Sequence, residues 1–457
     1  MLVDKTTIRD SALLRWTALI LISIVMFSSY YFYDVFSGIK AALQFETGIS
    51  NAEYGQMYGA YSFTNSVLLM TFIGGMILDR WGVRRTGVIF LSFITLGSVA
   101  TAYGASTNFH SGSAAFHLFG SFWKSYSPAL KMMVFGRLIF GLGAETFYVV
   151  INKVIAKWFK GKELALAFGI SLSFGRFGTM AALFMSPLIA HEPPHSNVTA
   201  AAWFGGMLAI IAVIAFIVFY FMESRLEKQI RQTEAKEVLE KFRLADLIIL
   251  IKNKSFLYIT LLCITFYSAV FPFIAFLPDF LHNKFGFSLA SSGAIATILP
   301  FGTVVFTPLF GLWCDLKGKS ASIMILGSLL LLLVHFTFAF TNFVPYIPLF
   351  FLGVAFSLVP AAMWPSVAKI VEENRLGTAY GLMFTIQNYG LMLFPAFIGM
   401  VLDITNKKVP AGGTLNYTWA IFMLGILGFA GLLFAFLLRR EDKTSGYGLE
   451  LPNKMKG

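Results

Sequence analysis

Residues 75–85 read GMILDRWGVRR and stand at the end of a long apolar run. Residues 311–318 read GLWCDLKG and also end an apolar run. Both segments place a glycine four residues before an aspartate and a second glycine three residues after it, with basic residues nearby. A charged turn that recurs in this way predicts a chain built from two related halves.

The composition excludes an ordinary soluble protein. Of the 457 residues, 57% are hydrophobic, 16% are aromatic and only 13% are charged, whereas soluble domains carry about 25% charged residues. So few charges cannot cover the surface of a cytosolic enzyme or keep a chain disordered, and two cysteines do not make a secreted disulfide scaffold. We therefore expect a polytopic membrane protein.

Twelve apolar stretches are long enough to cross about 30 Å of hydrocarbon as helices. Their runs are continuous and rich in leucine, isoleucine and phenylalanine, which favours helices over the alternating strands of a membrane barrel. The first run is too long for a cleavable signal peptide. The predicted spans cover residues 16–38, 54–78, 86–105, 132–157, 163–188, 200–222, 256–280, 289–313, 321–341, 346–371, 377–402 and 417–438. The fold class is therefore all-α.

Most basic residues lie on one side of these spans. With the N-terminus in the cytoplasm, the cytoplasmic segments hold 26 of the 35 lysines and arginines, while six lie on the opposite side. This asymmetry follows the positive-inside rule with both termini cytoplasmic. Because the net charge of +12 is spread over many loops, it does not indicate a nucleic-acid-binding surface.

A charged connection separates the sixth span from the seventh. Its mixed charges, with Glu227 and Arg231 four residues apart, indicate a solvated linker helix. We divide the chain into four segments: an N-terminal six-helix bundle at 1–222, a cytoplasmic linker at 223–254, a C-terminal six-helix bundle at 255–440 and a cytoplasmic tail at 441–457.

The segment at 75–85 resembles the signature that the major facilitator superfamily carries between its second and third spans. Residues 136–143, GRLIFGLG, resemble the fourth-span signature of the same superfamily. This resemblance covers nearly the whole chain. It implies a twelve-helix membrane protein in which two pseudo-symmetric six-helix bundles surround a central cavity, and secondary transport by alternating access.

Four shorter segments, mainly in the N-terminal half, resemble the lysosomal dipeptide-transporter branch of that superfamily and its bacterial relatives. They are SYYFYD at 29–34, GAE at 143–145, WFKGKEL at 158–164 and SFGRFG at 173–178. This resemblance implies passive dipeptide transport, with an acidic residue of span 4 and an arginine of span 5 at the substrate site. Those roles fall on Glu145 and Arg176.

Charged side chains inside membrane spans cost at least about 2.5 kcal/mol each to insert, so each needs an explanation. Glu145 and Arg176 fall near the middle of neighbouring antiparallel spans, at the depth of the expected cavity. A zwitterionic solute needs both signs, because a carboxylate binds its amine and a guanidinium binds its carboxylate. The alternative is a structural ion pair that fixes spans 4 and 5 without contacting substrate.

Five further residues are predicted to line the substrate site. Tyr30 and Asp34 share one face of span 1, where Asp34 could also carry a coupled proton. Tyr267, Trp364 and Asn388 offer uncharged groups in spans 7, 10 and 11, which predicts broad side-chain selectivity. The alternatives are an interfacial aromatic anchor on span 1 and aromatic packing in the second half.

The charged turns are predicted to act as cytoplasmic gates. The gating residues are expected to be Asp79, Arg80, Arg84, Arg137 and Asp315. By resemblance, Asp79 caps the N-terminal end of span 11 and holds the cytoplasmic side shut when the outer side is open. Arg137 is expected to bind backbone or a carboxylate. The alternative for the first turn is a structural one, in which Gly82 supplies a backbone conformation that other residues rarely adopt.

Two transport functions stay open on the sequence alone. One is a carrier of small zwitterions, above all dipeptides; the other is a carrier of organic anions such as carboxylates or sugar acids, with or without proton coupling. A membrane sensor or an intramembrane enzyme fits less well, because no catalytic or metal-binding cluster lies at one membrane depth. We expect no cofactor, no metal and no nucleic acid, and a monomer that works in the lipid bilayer. The short tails favour a bacterial inner membrane.

Overall fold

The computed structural model describes residues 7–109, 111–160, 162–230, 244–372, 375–410 and 412–452, and within them it contains helices and no strand. A short 3₁₀ turn at Ile8–Asp10 precedes the helices. These are α1 (Ala12–Asp34), α2 (Lys40–Thr47), α3 (Asn51–Ser66), α4 (Met70–Gly104), α5 (Ala114–Gly120), α6 (Pro128–Trp158), α7 (Leu164–Ala190), α8 (Val198–Ile230), α9 (Leu244–Lys252), α10 (Lys254–Phe285), α11 (Leu289–Ala296), α12 (Ile298–Lys317), α13 (Ser320–Phe340), α14 (Tyr346–Ile370), α15 (Leu376–Thr405) and α16 (Thr418–Ser445). The predicted all-α class is confirmed.

Eleven helical segments of the described residues are long and apolar enough to cross a membrane, compared with twelve predicted spans. The difference lies in the second span, which is not one continuous helix. It consists of α3 and the first part of α4, with a break at residues 67–69 between them. α4 is interrupted at Gly82, whose backbone is not helical, and the part after this kink forms the third span.

The two glycine–aspartate segments form equivalent turns. Gly82 has a φ of 75° and Gly318 has a φ of 72°, both in the region that favours glycine. The predicted backbone role of Gly82 is therefore confirmed. The repeated sequence pattern of the two segments reflects a glycine turn that occurs once in each half of the chain.

The spans pack as two bundles. The helices α1, α3, α4, α6, α7 and α8 form the N-terminal bundle, and α10 to α16 form the C-terminal bundle. The bundles meet most closely where α3 lies against α15, and glycine makes this approach possible. A Cβ added at Gly55 would lie 2.0 Å from the carbonyl oxygen of Pro395, and one at Gly399 would lie 2.0 Å from that of Asn51.

Both ends of the described chain lie on one side of the molecule, which we call the terminal end; the opposite side is the far end. Near the N-terminus, the Lys162 ammonium lies 2.6 Å from the Asp10 carboxylate, and the Ile8 amide donates to the side-chain oxygen of Gln229. The hydrogen bond from Lys162 lowers the pKa of Asp10 to about 2. α8 reaches Ile230, inside the range predicted for the linker, and the rest of that range up to residue 243 lies outside the described residues.

Residues 446–452 fold back over the terminal end of the C-terminal bundle. The Lys319 amide donates to the carbonyl oxygen of Glu450 at 3.0 Å, and the Glu450 carboxylate accepts from the Ser322 amide at 2.8 Å. Leu449 is completely buried. The Glu450 carboxylate therefore caps the N-terminal end of α13, where backbone amides lack helical partners. Of the predicted tail, residues 441–445 continue α16, and residues 446–452 form this segment that folds back.

We expect that Glu450→Ala will lower the free energy of unfolding by about 1 kcal/mol, because a helix N-terminus loses its acceptor. The measurement is the melting temperature of the purified protein in detergent. Lys443→Ala, at an exposed position on the same side, is the control and should melt like wild type. Equal melting temperatures for both variants would contradict the capping role.

Candidate substrate site between the two bundles

Glu145 projects from the middle of α6 and is half-buried. Its Oε1 accepts a hydrogen bond of 2.6 Å from the Tyr61 hydroxyl, and its Oε2 accepts one of 3.3 Å from the Asn65 side-chain amide. Both donors lie on α3, four residues apart and on one face of the helix. Sequence reasoning missed them, although two polar residues at this spacing inside an apolar span were a usable signal.

Arg176 projects from the middle of α7 and faces the other bundle. Its guanidinium carbon lies 5.8 Å from the ring centre of Tyr30, 5.7 Å from that of Phe271 and 4.8 Å from that of Phe356. Tyr30 belongs to the N-terminal bundle, and both phenylalanines belong to the C-terminal bundle. Arg176 therefore sits at the boundary, where cation–π contacts stabilise its charge.

No ion pair in the described parts of the chain joins Glu145 to Arg176. Both side chains are only partly buried. The structural ion pair considered as the alternative is absent from this conformation, and each charge keeps capacity for a ligand.

The C-terminal bundle presents a set of aromatic side chains beside Arg176, which we call the aromatic wall. Its members are Tyr267, Phe271, Phe356, Trp364 and Phe384. The Trp364 indole N–H donates to the Tyr267 hydroxyl at 3.1 Å, and the Trp364 ring stacks on Phe384 at 4.7 Å. Tyr267 stacks on Phe271 at 5.7 Å. The structure therefore brings two predicted site residues, Tyr267 and Trp364, into one surface that reaches Arg176.

Other predicted site residues occupy different surroundings. Tyr30 contacts Arg176, as described above, and its ring also lies 5.6 Å from that of Tyr148. Asp34 is only 3% exposed, and its two oxygens accept hydrogen bonds from Tyr58 and Thr179. Asn388 is 2% exposed and donates to the backbone of its own helix. Asp34 and Asn388 are thus enclosed by protein in this conformation, and their substrate contacts stay predictions.

Arg137 is completely buried and binds backbone, as the sequence led us to expect. Its two terminal nitrogens donate to the carbonyl oxygen of Tyr33, each at 3.0 Å. Tyr33 lies in the last turn of α1, where carbonyl groups lack helical donors. The Tyr58 ring lies 4.9 Å from the guanidinium carbon. Arg137 therefore fixes the far end of α1 against α6.

The charged turn at the terminal end makes its ion pairs within one bundle. The Asp79 carboxylate lies 2.6 Å from the Lys153 ammonium, and both side chains are exposed. Arg84 binds Glu227 of α8 at 2.8 Å, whereas Arg80 is exposed. The described contacts of Asp79 thus lie inside the N-terminal bundle and away from α15. Asp315, in the equivalent turn, is half-buried at the end of α12.

Polar contacts at the far end join the two bundles; we call them the far-end latch. The Lys40 ammonium lies 2.8 Å from the Asp279 carboxylate of α10, and their side chains are 0% and 4% exposed. Asp403 of α15 accepts hydrogen bonds from the amides of Asn51 and Ala52, at 3.1 and 2.8 Å, where α3 begins. A carboxylate at a helix N-terminus is favoured by the helix dipole. Both contacts hold the two bundles together at the far end.

Two six-span bundles that hold opposite charges beside an aromatic wall define a membrane carrier of small solutes. A family model described as Major Facilitator Superfamily matches residues 22–395 and 266–451. The chain belongs to the major facilitator superfamily, and it is a multi-pass secondary transporter rather than an enzyme.

Named relatives agree with this assignment. The lysosomal dipeptide transporter MFSD1 of Homo sapiens is 32% identical over 399 residues, which cover 85% of this chain and 80% of that protein. The hexuronate transporter of Bacillus subtilis is 21% identical over 79% of this chain and 82% of its own length. A bacterial homologue of the human lysosomal transporter Spinster, in an inward-facing and occupied crystal structure, gives a TM-score of 0.68 at 14% identity and covers 93% of this chain and 97% of its own. The predicted resemblance to the superfamily and to its dipeptide-transporter branch is confirmed.

The far-end latch gives a double-mutant test. Lys40→Met leaves Asp279 as an unbalanced buried charge, which should cost about 3–5 kcal/mol of stability. The double variant Lys40→Met, Asp279→Asn should recover most of that loss, because no unpaired charge remains. Melting temperatures of the single and double variants measure this coupling. Lys124→Met, at an exposed position, is the matched control, and additive losses in the double variant would contradict the buried pair.

Proposed function

We propose that this transporter moves dipeptides across the membrane, with Glu145 binding the substrate amine and Arg176 binding the substrate carboxylate. The observation that supports the proposal most strongly is that these two intramembrane charges lie on neighbouring helices and are not paired with each other. Partly accessible charges inside a membrane cost free energy unless a partner of opposite charge or a hydrogen-bonding group binds them. A zwitterionic substrate supplies that partner to both residues at once.

The surroundings of each charge suit this division of roles. Tyr61 and Asn65 each donate one hydrogen bond to the Glu145 carboxylate, which orients it and leaves capacity for an ammonium donor. The aromatic rings around Arg176 contact its charge without accepting its N–H groups. Those N–H groups stay available for a bidentate bond to a carboxylate.

The aromatic wall fits the variable part of a dipeptide. The Tyr267 hydroxyl and the Trp364 indole N–H bind each other, so the wall carries no charge. Tyr267 and Phe356 are buried, and the partly exposed rings of Phe271, Trp364 and Phe384 offer the accessible ring surface. Ring surface recognises side chains mainly by buried area, which discriminates weakly between them. Selectivity therefore depends on the two charged ends of the substrate, and a broad range of dipeptides is accepted. The human relative MFSD1 is a lysosomal dipeptide transporter, which supports the same substrate class.

We propose that the far-end latch and the terminal-end turn alternate as gates. With the terminal end in the cytoplasm, the closed far end makes this an inward-facing conformation. Asp403 of span 11 caps span 2 here, whereas Asp79 of span 2 is bound to Lys153. In the outward-facing conformation, Asp403 releases α3, and Asp79 leaves Lys153 to cap α15. Both gates then use the same kind of contact, an aspartate that caps the N-terminal end of a helix, at opposite ends of spans 2 and 11.

A carrier of organic anions is the second candidate function. The relation to a hexuronate transporter favours it, since a sugar acid needs an arginine but no partner for an amine. Glu145 argues against this candidate, because a carboxylate in the same space repels an anion. The two functions therefore differ in whether transport needs Glu145.

Uptake into proteoliposomes separates the two functions. Glu145→Gln and Arg176→Lys should each slow dipeptide uptake at least about tenfold, since a hydrogen bond to a charged group contributes about 1.5–3 kcal/mol. Glu441→Gln and the exposed Arg440→Lys, away from the proposed site and from the charged turns, are matched controls and should transport like wild type.

Wild-type dipeptide uptake by folded Glu145→Gln and Arg176→Lys would contradict the assigned site. Uptake of a sugar acid that needs Arg176 and is indifferent to Glu145→Gln would instead support the organic-anion carrier. Folding of each variant is checked by its elution from a sizing column.

A further inference from the structure

The second span is broken between its two halves. α3 ends at Ser66 and α4 begins at Met70. Between them, Leu69 has a φ of 53° and a ψ of 38°, a left-handed conformation that leucine rarely adopts. A break inside a membrane-spanning helix frees backbone groups that must find other partners, because lipid offers none. One of the freed amides, that of Thr71, is bound by a side chain instead of by backbone.

That side chain is Asn65, which is completely buried. Its Oδ1 accepts hydrogen bonds from the Thr71 amide, at 2.9 Å, and from the Thr71 hydroxyl. Its Nδ2 donates to Glu145 at 3.3 Å. Because two donors converge on Oδ1, the hydrogen-bond network fixes which end of the amide faces Glu145. The Asn65 carboxamide therefore connects Glu145 to the first residues of α4, across the break.

The two halves of this span belong to different gates. α3 is held against the C-terminal bundle by the hydrogen bonds that its first amides donate to Asp403 and by the close approach at Gly55. The first part of α4 carries Asp79, whose partner Lys153 lies in the N-terminal bundle. The break separates the half that closes the far end from the half that carries the terminal-end turn.

We propose that Asn65 is a positioning residue that transmits the state of Glu145 to the break in the second span. When the substrate amine binds to Glu145, the hydrogen bond that Asn65 donates to Glu145 changes. The hydrogen bonds that Thr71 donates to Asn65 carry that change into α4. Asn65 acts through Glu145 and need not touch the substrate. The inference rests on the proposed role of Glu145 and adds a route from the binding site to the gates.

Tyr61 makes the route testable apart from binding. Its hydrogen bond to Glu145, at 2.6 Å, is shorter than that of Asn65 and keeps the carboxylate in place when Asn65 is replaced. Loss of Asn65 should therefore reduce turnover much more than affinity. A purely structural Asn65 would instead lower the melting temperature and leave turnover per folded molecule unchanged.

The experiment compares Asn65→Leu, Thr71→Val and the control Ser62→Ala, a position on α3 whose buried hydroxyl has no hydrogen-bond partner among the described residues. Binding of alanyl-alanine is measured by calorimetry, and turnover by counterflow at saturating alanyl-alanine. We expect Asn65→Leu to lower turnover at least tenfold with the dissociation constant within threefold of wild type. Thr71→Val should lower turnover about threefold, because the backbone amide still donates to Asn65, and Ser62→Ala should match wild type.

Unchanged turnover in Asn65→Leu, or equal losses of turnover and affinity, would overturn the inference. If Asn65→Leu does not fold, wild-type turnover in Thr71→Val overturns it alone. Failure of wild-type protein to bind alanyl-alanine is a separate result that contradicts the proposed function before any variant is compared.

Discussion

A charge inside the hydrocarbon core must be given a partner, and this constraint organises the whole molecule. Arg137 meets it with the backbone at the end of α1, and the buried Lys40 of α2, just outside the predicted first span, obeys the same rule by pairing with Asp279 of the C-terminal bundle. Glu145 and Arg176 meet it only in part, through neutral hydrogen-bond donors and aromatic rings. The first set of charges holds the fold together, and we propose that a bound ligand supplies the missing partners of the second set.

The pseudo-symmetry of the fold explains why the two proposed gates resemble each other. Gly82 and Gly318 each place a glycine with a positive φ in the charged turn of their half. At the far end, Asp403 caps α3, while at the terminal end Asp79 lies in the turn that follows the same span. A carrier with one central site needs both ends to open in turn, and two related halves provide similar contacts at each end.

Much of this account could be predicted from the sequence. Span positions follow from hydropathy, and Glu145 and Arg176 are conspicuous because charges in apolar runs are rare. Asp279 satisfied the same criterion inside the seventh predicted span, but its partner Lys40 is 239 residues away and only the fold brings them together. The break at residues 67–69 has no local signal, because its sequence is a run of apolar helix formers and the bond that secures it comes from Asn65.

The most direct measurement of the central claim is a thermal-shift comparison of three ligands on the wild-type protein. They are a dipeptide, the same dipeptide with its amine acetylated, and the same dipeptide with its carboxylate converted to an amide. A ligand that binds the folded state at a hundred times its dissociation constant stabilises it by about 2.7 kcal/mol. We predict this stabilisation for the unmodified dipeptide alone. Equal stabilisation by either modified form would contradict recognition of both charged ends.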